Sequence, residues 1–242
     1  MSPLAIGLLA AVVLVAACLQ GSIGFGMGMV AAPFIAMVDP ALLPVSVILL
    51  ALVVTSVVVV LDRGSLDLRG ATWALAGRVP GSLAGAALVA VLAPAALSWI
   101  VAATVLLGVA VSLRGWRPRV TRTTQAVAGA LSGIMGTTTS IGGAPMAIIW
   151  QASEGPRLRG TMAAFFLVGS GLSLAALFAL GAVPQHALVF AAWMLLPALA
   201  GLTLSRYVNR FLDRRRTRAL ALAASGLGAA ALIATQIAAW IG

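Results

Sequence analysis

The stretch that decides the fold is Gly136-Thr137-Thr138-Thr139-Ser140-Ile141-Gly142-Gly143, in the middle of an apolar run over 124–151. Seven of these eight residues are glycine or carry a hydroxyl. A lipid-exposed helix gains nothing from such a composition, because backbone that leaves the helix inside a membrane must be satisfied by protein or by water. If the run crosses the membrane once, every later loop lies on one face. If it turns back at this stretch, every later loop lies on the other.

The chain around it is one that lipid must solvate. Of 242 residues, 62% are hydrophobic and 8% charged, with a mean hydropathy of +1.13, more apolar surface than a water-soluble domain can cover. Apolar runs fall at about 4–19, 28–38, 41–61, 71–92, 95–113, 124–151, 160–180, 184–204 and 218–240. Most are long enough for a spanning helix, which needs about 20 residues, and their Ala- and Leu-rich composition without alternation excludes strands. The expected fold is an all-α polytopic bundle of about eight spans. No cleaved signal peptide is expected, since the first apolar run has no basic residues ahead of it.

Arginine positions settle the parity. All fifteen basic residues are arginine, and fourteen fall in gaps between apolar runs, giving a net charge of +10. This is the positive-inside pattern of membrane loops rather than a nucleic-acid surface. The arginine-bearing gaps are 62–70, 114–123, 153–159 and 206–218, while those at Asp39-Pro40, Ala93-Pro94 and 181–186 have none. All four basic loops become cytoplasmic only if 124–151 enters and leaves from the inside as two half-helices joined at 136–143. The same device at 4–38, broken at Gly21-Ser22-Ile23-Gly24-Phe25-Gly26-Met27-Gly28, would enter and leave from the outside. The expectation is two inverted-topology repeats, 1–113 and 124–242, each beginning with a broken, re-entrant segment and joined by a cytoplasmic linker at 114–123. Gly21, Gly24, Ala32 and Pro33 match Gly133, Gly136, Ala144 and Pro145 at an offset of 112 residues, and the Pro80–Gly85 segment resembles Pro197–Gly201.

Two breaks in matching positions point to a shared central site. Glycine lets backbone approach a ligand closely, and free N–H groups at the start of a second half-helix suit an anion. Candidate binding residues are Gly24, Gly26, Gly142 and Gly143, with Ser22, Thr137, Thr138, Thr139 and Ser140 as hydroxyl donors. Gln20 and Gln151 flank the two breaks. Arg78 is the one arginine inside an apolar run, and it either faces a cavity and attracts an anion or snorkels to the headgroups. Its neighbours Gly77, Gly81 and Gly85 form a face that admits close helix contact. Ser170 and Ser173, with Thr55 and Ser56, either line a pathway or bond their own helix carbonyls.

Other chemistry has little to stand on. None of Asp39, Asp62, Asp67, Glu154 and Asp213 lies deep in a span, so a buried proton-shuttling carboxylate is missing. Cys18 is the only cysteine, which excludes a disulfide and a multi-cysteine metal site, and no cofactor is expected. His186 falls in an arginine-free external gap, away from Ser140, which argues against a serine–histidine hydrolase. No catalytic residues and no enzyme activity are expected. The six tryptophans sit mostly near span ends, as interfacial belts do.

The glycine run GSIGFGMGMVAAP at 21–33, its partner GIMGTTTSIGGAP at 133–145 and the PGSLAG segment at 80–85 resemble the sulfite exporter TauE/SafE family of membrane permeases. The resemblance covers essentially the whole chain and rests most on Gly21, Gly24, Phe25, Gly26 and Gly28, and on Gly142, Gly143 and Pro145. It implies an inverted-repeat secondary transporter in the bacterial inner membrane that moves a small anion, sulfite or an organosulfonate, with the lipid bilayer as a further partner and no nucleic acid. It adds Phe25 to the candidate binding residues. A passive anion channel and an intramembrane hydrolase are the alternatives.

Overall fold

The computed structural model describes residues 1–61, 68–114, 118–150, 155–211 and 214–241. The expectations placed on Asp62, Arg63, Asp67, Arg69, Trp116, Arg117, Gln151, Glu154, Arg157, Arg159, Asp213, Arg214, Arg215, Arg218 and Trp240 concern side chains outside that set. Among the described residues the chain is all helical. The elements are α1 (Pro3–Ile23), α2 (Met27–Val38), a 3-10 turn (Pro40–Leu42), α3 (Val45–Leu61), α4 (Leu68–Val91), α5 (Pro94–Arg114), α6 (Arg122–Thr139), α7 (Gly143–Ile149), α8 (Gly155–Ala179), α9 (Gln185–Phe211) and α10 (Arg214–Ile241).

Six of these helices, α1, α4, α5, α8, α9 and α10, are long and apolar enough to cross a membrane. At 1.5 Å per residue a helix of this length covers about 30 Å, the thickness of the hydrocarbon layer. The 17-residue α3 and the 12-residue α2 are apolar but shorter. Among the described residues there are thus six full-length apolar helices, α1 included, with α2 and α3 shorter, and two interruptions, one between α1 and α2 and one between α6 and α7.

Both interruptions are narrower than the sequence suggested. α1 continues through Gly21, Ser22 and Ile23 and ends at Gly24, whose left-handed backbone (φ 86°) returns its N–H to the carbonyl of Gln20. Only Gly24, Phe25 and Gly26 lie outside helix before α2 begins. α6 starts on a capping box between Thr121 and Thr124 and runs through Thr137, Thr138 and Thr139 to Ser140, also left-handed at φ 64°. Only Ser140, Ile141 and Gly142 separate it from α7. Gly24 thus corresponds to Ser140 and Gly26 to Gly142, one helical turn further along than the 112-residue offset of the sequence match.

Glycine sets how closely the main helix pairs approach. Along the α4–α6 contact, a Cβ on Gly77 would fall on the carbonyl of Ala126, one on Gly81 on that of Ala130, and one on Gly129 on that of Ala74. A Cβ on Gly133 would lie 2.7 Å from the Arg78 carbonyl. The stripe at Gly77, Gly81 and Gly85 does what its spacing predicts, and α6 answers it with glycines of its own. The α1–α9 pair is built alike: a Cβ on Gly201 would strike the Leu14 carbonyl, and one on Gly21 would lie 2.6 Å from Ser205 Oγ. α3 packs on α8 and α5 on α10, and the buried core runs through the centre of the bundle from Val13 and Met27 to Phe165 and Leu232.

The three arginine-free connections meet. Ala41 and Leu43, Leu92 and Pro94, and Gly181 to Pro184 all line one cavity of about 300 Å³ at the same end of the bundle.

Candidate functional site

The two interruptions touch through backbone. A Cβ on Gly28, in the first turn of α2, would fall on the carbonyl of Ser140, and a Cβ on Gly143, the first residue of α7, would lie 3.2 Å from the Phe25 side chain. Each break therefore packs on the start of the other's second half-helix. Ser140 is the only described non-glycine residue with positive φ, a conformation that costs about 1–2 kcal/mol for an L-residue. Its hydroxyl donates to the Pro44 carbonyl at 3.0 Å, which ties the second break to the connection before α3.

Between the breaks lies a small cavity of about 40 Å³. Of the sequence candidates, Gln20, Phe25, Gly26, Arg78, Ser140, Gly142, Gly143 and Ser170 line it. Gln20 Oε1 accepts the backbone N–H of Met27 at 3.1 Å, so this glutamine bridges the end of α1 to the start of α2, where the N-cap Gly26 has no side chain to offer.

Arg78 does not snorkel. It is 2% exposed, and its Nη1 donates to Ser132 Oγ at 2.6 Å and to the Ser132 carbonyl at 3.3 Å. Ser132 Oγ in turn donates to the Gly142 carbonyl at 2.6 Å. A single hydroxyl thus links the guanidinium of α4 to the second break. The guanidinium carbon sits 5.0 Å from the ring centroid of Phe165 and 5.5 Å from that of Phe166, within range of cation–π attraction. Nε is buried with no hydrogen-bond partner, and the guanidinium hydrogen bonds found among the described residues all leave from Nη1. A charge held at this depth is costly unless something opposes it, and no Asp, Glu or His lines the cavity among the described residues.

The remaining candidates stand elsewhere. Thr138 and Thr139 donate to carbonyls of their own helix at Ile134 and Met135, and Ser22 does the same to Cys18. Because α1 and α6 persist further than expected, these hydroxyls find helix carbonyls rather than an open turn. Gly24 serves as the α1 cap and lies off the cavity. Thr137 sits one step behind the lining, sharing a 2.7 Å hydrogen bond with Ser173, which does line it. Thr55 and Ser56 bond the carbonyls of Ala51 and Leu52.

Sequence reasoning missed Ser132, Phe165, Phe166 and the role of Gly169. A Cβ on Gly169 would overlap Arg78 Nε, so the guanidinium occupies space that only a glycine leaves. Trp150 is also not interfacial. It is buried and meets Phe165 edge to face at 5.6 Å, bracing the ring that covers Arg78. Trp73, Trp99 and Trp193 are exposed as expected, and Arg122 stacks over Trp73 at 5.4 Å. His186 lies exposed at the start of α9 and does not line the cavity, while Ser140 Oγ is occupied by Pro44. The serine–histidine alternative has no geometry here.

No curated protein and no solved structure matches the chain. Residues 9–241 match the sulfite exporter TauE/SafE family, nearly the whole length, in agreement with the paired glycine segments and the multi-helix apolar fold. The chain belongs to this family of membrane transporters.

Proposed function

We propose that the chain is a secondary permease that carries a small oxyanion, sulfite foremost, across the bacterial inner membrane by alternating access around the cavity between the two breaks. The observation that carries this reading is Arg78, buried, with Nε unmatched and its hydrogen bonds among the described residues confined to Nη1, in a cavity walled by both interruptions. Such an arginine pairs two N–H groups with two oxygens of an oxyanion. Gln20 and Ser170 supply further polar contacts, and the start of α2 beyond Met27 adds N–H groups suited to negative charge.

Size favours the smallest members of the substrate class. One water needs about 10–15 Å³ of such space, so 40 Å³ holds roughly three waters or one four-atom oxyanion. A longer organosulfonate requires the cavity to widen.

An inverted repeat of 1–113 and 124–242 accounts for the helix pairings. Matching α1–α5 in order to α6–α10 turns the α4–α6 contact into α9–α1, α2–α10 into α7–α5, and α3–α9 into α8–α4, and all of these contacts occur. The convergence of the arginine-free connections on one cavity supports placing them together outside and the loops at 62–70, 114–123, 153–159 and 206–218 in the cytoplasm.

Sulfite counterflow in proteoliposomes tests the reading. A carrier gives saturable flux accelerated by sulfite on the opposite side, whereas a passive channel gives no such acceleration. Arg78→Gln should lower the flux about a hundredfold, as expected when two charge-assisted hydrogen bonds are lost, and Arg78→Lys should retain part of it. Wild-type flux from Arg78→Gln sinks the proposal.

A further inference from the structure

The cavity has one positive charge and nothing to set against a second negative one. Arg78 is the only ionisable group among its described lining residues. The other polar side chains there, Gln20 from α1, Ser140 from the second break and Ser170 and Ser173 from α8, are uncharged, and α2, α3 and α6 contribute only glycine and apolar residues. Phe165 and Phe166 close over the guanidinium and keep the surroundings at low dielectric.

A singly charged oxyanion on the free Nε–Nη2 edge leaves the site neutral. A doubly charged one leaves a net negative charge with no partner, and burying an unpaired charge is among the most expensive things a protein can do. The protonated oxygen of a monoanion is not stranded, because hydroxyl and amide oxygens face the same space. Gln20 Oε1 uses one lone pair on Met27 N–H and has a second, and Ser170 Oγ can accept as well.

We infer that the site takes its substrate as the monoanion, for sulfite the hydrogensulfite form, so that a proton crosses on the substrate and not on a side chain. The inference rests on the permease reading above and adds the protonation state of the cargo. It also accounts for a transport site with no carboxylate or histidine in its lining: the sulfite dianion takes a proton from solution on one side, crosses as hydrogensulfite, and releases the proton to solution on the other.

The test uses the full-length protein in liposomes. Initial sulfite flux is measured at fixed total sulfite over a pH series, with protein-free and Arg78→Gln liposomes as blanks and an internal pH dye as second readout. No carboxylate or histidine stands among the described lining residues, so over a near-neutral pH series the expected profile is that of the substrate alone: above the hydrogensulfite pKa the rate falls about tenfold per pH unit, and each sulfite taken up delivers a proton to the lumen. Chlorate, a pyramidal four-atom monoanion at every pH tested, should compete throughout, and sulfate should not. A rate that is flat or rises with pH, or competition by sulfate equal to that by chlorate, overturns the monoanion inference while leaving the permease reading in place. No protein-dependent flux at any pH overturns both.

Discussion

Arg78 Nε occupies the volume that a side chain on Gly169 would need. The guanidinium of α4 is seated in α8 by an absence of atoms, and its place in the cavity depends on a residue that makes no polar contact with it. Gly169→Ala should force Arg78 aside. A displacement of about 1 Å at a reacting or binding centre can cost about a hundredfold, so flux per reconstituted protein should fall by that order with membrane insertion unchanged. Gly171→Ala, which meets nothing within 4 Å, is the control. Equal flux from the two variants would show that Arg78 is not held where its function requires it.

Contact between the breaks should be as sensitive. Gly28→Ala places a methyl on the Ser140 carbonyl, and backbone yields less readily than a flexible side chain, so overpacking of about 1–3 kcal/mol or more is expected. Thermal unfolding of the detergent-purified protein should shift down by several degrees. Gly7→Ala, in open space, should leave the midpoint unchanged or slightly raised.

The Ser132 hydroxyl positions Arg78 through one hydrogen bond and the second break through another. Ser132→Ala should raise the sulfite KM about tenfold with little change in kcat, the signature of a weakened binding group. A double-mutant cycle with Arg78→Gln, read by thermal stability, should give a coupling of about 1–2 kcal/mol. Additive effects would mean that the hydroxyl merely packs.

Reciprocal glycines on α4 and α6 predict an assembly defect. Gly129→Leu should abolish monodisperse protein on size exclusion, since its side chain would meet the Ala74 carbonyl and neither helix can retreat without opening the core. Gly226→Leu, with nothing within 4 Å, should behave as wild type.

Much of this architecture was legible in sequence, because its signals are ones that lipid enforces. Glycine clusters inside apolar runs mark interrupted helices, and a lone arginine in a span marks a cavity or a partner. The extent of each break was not legible. A serine or threonine that ends a helix and one that bonds its own i−4 carbonyl read alike in sequence, so Thr137, Thr138 and Thr139 resembled Ser140. What separates them is tertiary: Ser140 finds Pro44, 96 residues away, whereas Thr138 and Thr139 find α6. Ser132 was hidden for the same reason, as one more small residue between Gly129 and Gly133. Trp150 lay near the end of an apolar run and read as interfacial, but α7 ends inside the bundle and delivers the indole to Phe165.

At Gly28 and Ser140, main chain rests directly on main chain. Such a bearing has no rotamers to change and no flexible tip to compress, so it cannot cushion a displacement. A shift of α2 at Gly28 therefore has to be matched by the segment that carries Ser140.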